Sequence, residues 1–94
     1  MTGEKPNLLQ ITLGAGATQI SLTSMLVNQV TFQNNAGHSC RLGDATVSAT
    51  KGLLLASGSP GGSANFGPFS VNNADLTEWY IFGTAGDVID ILWF

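Results

Sequence analysis

Hydrophobic residues along this chain recur with the period of β-strands, and no stretch sustains a helical stripe. Leu8 to Leu13 reads as a first strand, closed by the turn-prone Gly14-Ala15-Gly16. Ile20 and Leu22 mark a short second piece. Met25 to Gln33 carries the clearest signal, with Val30 and Phe32 on one side and Gln29, Thr31 and Gln33 on the other. Asn34-Asn35-Ala36-Gly37 supplies residues that accept the positive φ of tight turns. Ser39 to Leu42, Ala45 to Thr50 and Leu53 to Ala56 follow as predicted short strands, each divided from the next by a glycine. Gly58 to Ser63 reads as a surface loop, and Asn72 to Leu76 as a turn with room for one turn of helix. Glu78 to Phe82 and Val88 to Phe94 complete the set, joined by a turn at Gly83-Thr84-Ala85-Gly86.

Many short strands separated by regular turn signals predict an all-β fold, either a small antiparallel β-sandwich or a compact β-barrel. The length of 94 residues fits one domain, taken as residues 8–94. Residues 1–7 have little to bury and are predicted to form a flexible N-terminal arm.

Composition changes the picture by what it withholds. Charged residues make up 10% of the chain, against about 25% in ordinary soluble domains. The cations are Lys5, Arg41 and Lys51, and the net charge is −3. Such a balance offers no footprint for phosphates, so a nucleic-acid partner is not expected. Nothing is long and apolar enough for a membrane span, and Met1 to Pro6 lacks the apolar stretch of a secretory signal. Cys40 is the single cysteine, so nothing points to an oxidising compartment, and synthesis in a cytoplasm is expected. A surface poor in Lys and Glu resembles the composition of an interface, although abundant Ser, Thr, Asn and Gln would also give an ordinary polar exterior.

Candidate chemistry is sparse. His38 and Cys40 would share a face if both lay on a strand, the minimum for a Cys–His nucleophile. The favoured reading is a solvent-facing histidine and a small buried cysteine. Asp87 and Asp90 are three apart on a predicted strand, hence on opposite faces and unable to share a proton or metal. Asp90, between Ile89 and Ile91, is expected to discourage wrong edge pairing. Asp44 and Asp75 fall in turns where carboxylates bond nearby amides. No spacing matches a calcium loop. Thr2-Gly3-Glu4-Lys5-Pro6 looks like a zinc-finger linker without any finger around it, and Gly14-Ala15-Gly16 opens a dinucleotide fingerprint that lacks its third glycine and its helix. The expectation is therefore no catalytic residue, no metal and no cofactor.

The aromatic strands say more. Trp79-Tyr80-Ile81-Phe82 and Ile91-Leu92-Trp93-Phe94 are apolar at every alternating position. A half-exposed antiparallel strand needs only one apolar face. The second face is expected to meet another chain, with Trp79, Tyr80, Trp93 and Phe94 as candidate interface residues. Arg41, the one cation in the sheet region, joins them as a possible bidentate partner for a carboxylate across an interface, with Asp44 as the local alternative.

A resemblance runs through Val30-Thr31-Phe32-Gln33-Asn34-Asn35-Ala36-Gly37, Cys40-Arg41-Leu42-Gly43-Asp44, Gly52-Leu53-Leu54-Leu55 and Trp79 to Asp87. These strand–turn cadences resemble small β-sheet structural proteins of tailed bacteriophages, including capsid cement or decoration proteins. The likeness covers most of the chain after about residue 17 and contains no catalytic residue. It implies a β-sandwich or jelly-roll-like fold, a place on the capsid surface of the virion, and a role binding and stabilising the lattice of the major capsid protein. Self-association, as a homo-oligomer or self-contacting array, is expected alongside. Two rivals remain: another virion part such as a tail, baseplate or head-fibre module, and a carbohydrate-binding sandwich whose aromatics stack on sugar rings.

Overall fold

The computed structural model describes residues 5–34, 36–56 and 69–94. The predicted loop over Gly58 to Ser63 and most of the predicted N-terminal arm lie outside these residues. Eight strands follow in order: β1 (Asn7–Thr12), β2 (Ala17–Gln19), β3 (Leu26–Asn34), β4 (Cys40–Gly43), β5 (Leu53–Leu55), β6 (Phe69–Asp75), β7 (Tyr80–Phe82) and β8 (Val88–Trp93). A single 3-10 turn, Leu76–Glu78, stands between β6 and β7.

The strands form two four-stranded antiparallel sheets, ordered β1-β8-β3-β6 and β2-β7-β4-β5. First pairs with last throughout: β1 with β8, β2 with β7, β3 with β6 and β4 with β5. That is one long hairpin, β1 to β4 against β5 to β8, rolled so that β3 also meets β8 and β4 meets β7. Eight strands so wound make a jelly roll, the two-sheet solution to burying apolar faces. It is an open sandwich and not the closed barrel that the strand pattern also allowed.

Alternation within each strand builds the core. Val30, Phe32, Ile89 and Ile91 from the first sheet meet Cys40, Leu42, Leu55 and Ile81 from the second, with Leu13, Ile20, Val27, Ala74 and Leu76 closing the ends. Phe32 stacks on Trp79 with ring centroids 5.7 Å apart. Asn34 is the buried polar residue of this core. Its amide donates to the His38 and Leu55 carbonyls and its oxygen accepts from the Ala36 amide, so it fastens the end of β3 to β4 and β5.

Several expectations need correction. Ala45 to Thr50 forms no strand: Asp44 accepts from Thr46, and Ser48 accepts from the Thr50 and Lys51 amides, so local side-chain bonds hold a loop instead. The second strand is Ala17–Gln19, not Ile20 to Leu22, and Leu22 is 87% exposed. Phe69–Asp75 is a full strand where a turn was expected from Asn72 onward, and the helical turn begins at Leu76. Asp90 does not guard an edge, because β8 runs between β1 and β3.

Phase changes once within the long strands. The amides of Asn28 and Gln29 both donate to the Phe94 oxygen, and the Phe94 amide returns a bond to the Gln29 carbonyl. Two residues thus oppose one, the definition of a β-bulge. Val27 and Val30 consequently both face inward although they are three residues apart. On the adjoining β6, Asn73 takes φ 55°, a left-handed conformation that asparagine tolerates, and shifts the phase to match.

Candidate functional site

The predicted interface residues do not converge. Trp79 sits between the 3-10 turn and β7, packed against the core through Phe32, and Trp93 at the end of β8 also packs there. Tyr80 and Phe94 are half-buried, the first on the outer side of the second sheet and the second at the bulge of the first. Arg41 bonds neither Asp44 nor any other carboxylate among the described residues. Its Nε donates to the Ala49 carbonyl at 3.1 Å and an Nη to the Gly52 carbonyl at 2.9 Å, so the guanidinium ties down the β4–β5 loop. Gly52 is required there, since its φ is +134° and a Cβ would lie 2.6 Å from a Val47 methyl.

His38 is exposed and Cys40 buried. The His38 Nδ1 lies 3.0 Å from an Asp87 oxygen, which links the loop before β4 to the turn before β8. Cys40 points into the core. Burial first, and the nearby Asp87 charge second, push its thiol up to about 11, far from a neutral-pH nucleophile. Among the described residues, no group of three or more His, Cys, Asp or Glu is placed to hold a metal. No helix among them is long and apolar enough to cross a membrane.

Asp75 is a heavily bonded carboxylate. It accepts from the Met25 amide at 3.0 Å, from the amide and hydroxyl of Thr77, and from the Ser24 hydroxyl, joining the entry of β3 to the end of β6. Those donors, the Met25 amide foremost, hold its carboxyl down at about 2, below the ordinary Asp value of about 3.9. A depressed folded-state pKa contributes stability that is present above the unfolded value and lost as the pH falls through the folded one. Denaturant midpoints of the parent should therefore drop between about pH 4 and pH 2. Asp75→Asn should lower the midpoint at neutral pH and flatten that drop; an unchanged acid limb in the variant would remove Asp75 as its cause.

What the fold offers outward is surface. Residues opposite one another across paired strands share a face, so the outer side of the first sheet carries a row Leu8, Leu92, Thr31, Ser70 and a second row Gln10, Asp90, Gln33. Leu8 is 80% exposed, and Leu26, at the start of β3, equally so. Gln10 donates to Asp90 at 2.8 Å, which places that carboxylate in a hydrogen-bonded pair. On the second sheet, Phe82, Arg41 and Leu54 form a corresponding outer row. Tyr80 lies opposite Gly43, and the missing side chain there leaves an open concavity flanked by Asp44, Thr77, Glu78 and Trp79.

Sequence reasoning overlooked the exposed leucines. The signal was present: with Leu9, Ile11 and Leu13 directed inward by alternation, Leu8 has to face outward. Comparison with protein-family profiles, with curated proteins and with solved structures finds no match to this chain.

Proposed function

We propose that this protein is a non-enzymatic structural component of a phage virion, a cement or decoration protein that binds and stabilises the lattice of the major capsid protein. The observation that carries the reading is the combination of large exposed leucines, Leu8, Leu22 and Leu26, with a chain that is only 10% charged. Exposed apolar side chains on a weakly charged rigid sandwich are suited to docking on another protein surface. The resemblance of the Val30–Gly37, Cys40–Asp44 and Trp79–Asp87 segments to phage structural proteins supplies the kind of partner. A jelly roll is also an architecture of viral capsid domains, although fold alone assigns no role.

The test is to look for a major capsid gene beside the gene for this chain and to co-sediment the protein with empty shells of that gene's product. The expected result is saturable binding and a higher shell melting temperature. Replacing Leu8 and Leu26 together with Ser should weaken binding at least tenfold while leaving the fold intact, since both side chains are already in solvent. Shells that neither bind nor gain stability would contradict the proposal.

A second reading has one observation behind it. The concavity at Tyr80, bordered by Trp79, Asp44 and Glu78, has the aromatic and acidic lining that a sugar ring uses. A tryptophan fluorescence titration with polysaccharides separates the two, because shell docking alone leaves the signal flat.

A further inference from the structure

Among the described residues each sheet of the roll has two edge strands, and three of the four are poor templates for another strand. β2 and β5 are three residues long, and β6 is kinked where Asn73 turns left-handed. Short strands and kinks are the devices that keep edges from pairing. The fourth edge, β1, has none of them. Asn7–Thr12 is six residues of regular strand with no bulge, no proline and no charged side chain, rich in Leu, Ile and Thr.

The hydrogen-bonding parity of β1 is fixed from two directions. The Leu13 amide donates to the Asp87 carbonyl, so residues 7, 9, 11 and 13 face β8. On the other side of β8, the mutual bonds between Gln29 and Phe94 commit the even residues of β8 to β3 and leave its odd residues for β1, which agrees. The amides and carbonyls of Leu8, Gln10 and Thr12 therefore point away from the sheet.

We infer that this edge pairs with β1 of a second copy, antiparallel about a two-fold axis through Gln10. In that register Leu8 faces Thr12 of the second copy, Gln10 faces its counterpart, and each pair exchanges both backbone bonds. On the inner face, Leu9 comes opposite Ile11 of the other copy. Both are half-buried at the rim of the core, so pairing extends the apolar layer across the axis. On the outer face, Asp90 holds one amide hydrogen of Gln10, leaving the other and the amide oxygen for the facing Gln10. No charged side chain on β1 meets its like across the axis. The two four-stranded sheets become one continuous eight-stranded sheet, and the interface is isologous, as a two-fold dimer requires. This pairing is independent of the capsid reading and is measured on purified protein alone.

Sedimentation velocity over a concentration series tests it. The parent should approach twice the 9.8 kDa chain mass as concentration rises. Gln10→Lys keeps a partner for Asp90 but sets two ammonium groups face to face on the axis, and it should halve the mass. Leu8→Lys with Thr12→Lys, and separately Leu8→Glu with Thr12→Glu, should each give monomers, while an equimolar mixture of the two should restore the dimer. A parent that stays monomeric at every concentration overturns the inference. So does a dimer indifferent to Gln10→Lys, or a failure of the mixed charge variants to pair when both are folded by circular dichroism.

Discussion

A chain shortened to end at Leu92 is expected to lose its cooperative thermal transition. Trp93 lies at the centre of the first sheet, opposite Asn7 of β1 and Val30 of β3, with its ring against the core. Phe94 supplies the oxygen that both bulge amides share and the amide that bonds Gln29. Removing the two residues takes away a large aromatic packing surface and leaves the bulge amides and the Gln29 carbonyl without their partners. Truncating one fully buried Trp or Phe costs about 3–5 kcal/mol; Trp93 and Phe94 are half-buried and each give part of that, to which the unpaired backbone groups add. A small domain holds about 5–15 kcal/mol in total. The sequence left open whether these residues serve the sheet or a partner; the backbone bonds show that the sheet uses them. Calorimetry of the shortened chain should show no transition, and a melt like the parent's would mean that the end of β8 contributes nothing.

Phe32→Ala should be nearly as damaging, by about 3–5 kcal/mol. Phe32 is fully buried, lies opposite Ile91 on β8 and Phe69 on β6, and stacks on Trp79 from the second sheet. It is thus one of the side chains through which the two layers touch. Its loss opens a cavity that rigid sheets cannot close, and Trp79 emission should shift to the red as water reaches the ring. Denaturant unfolding followed by tryptophan fluorescence measures both effects at once. A loss below about 1 kcal/mol, ordinary for a surface change, would contradict this packing.

The fold was legible wherever alternation ran unbroken. Val30 and Phe32 against Thr31 and Gln33 gave the core face of β3 correctly, while β1 and β8 were read as strands without a core face being assigned. β6 was lost because its phase slips midway: Phe69 and Val71 alternate with Ser70 and Asn72, then Asn73 turns left-handed and Ala74 becomes the inward residue. Asn72-Asn73 reads as a turn because the same tolerance of positive φ serves a turn or a kinked edge strand. Ala45 to Thr50 failed the opposite way. Val47 between polar neighbours imitates a strand, yet Asp44 and Ser48 capture the backbone amides that a ladder would need.

The candidate site was less legible because apolar alternation cannot say which face another element covers. Trp79 and Trp93 were read as facing a partner, and each is half-buried with part of its surface packed on the core. Arg41 was read as an interfacial cation, and the two bonds it makes to carbonyls of the β4–β5 loop, which the sequence did not show, use part of its donor set. The pairing of first strand with last, which brings Leu8 beside Leu92 and Gln10 beside Asp90, is long-range and has no local sequence signature.

As proposed above, this jelly roll is a surface-docking part of a capsid. The most direct test is electron cryomicroscopy of empty shells, assembled from a major capsid protein encoded in the same genome, with and without this chain. The account predicts added density on the outer surface of the shell, repeated at equivalent lattice positions and fitted by the eight-stranded roll. Shells identical with and without the chain would contradict it.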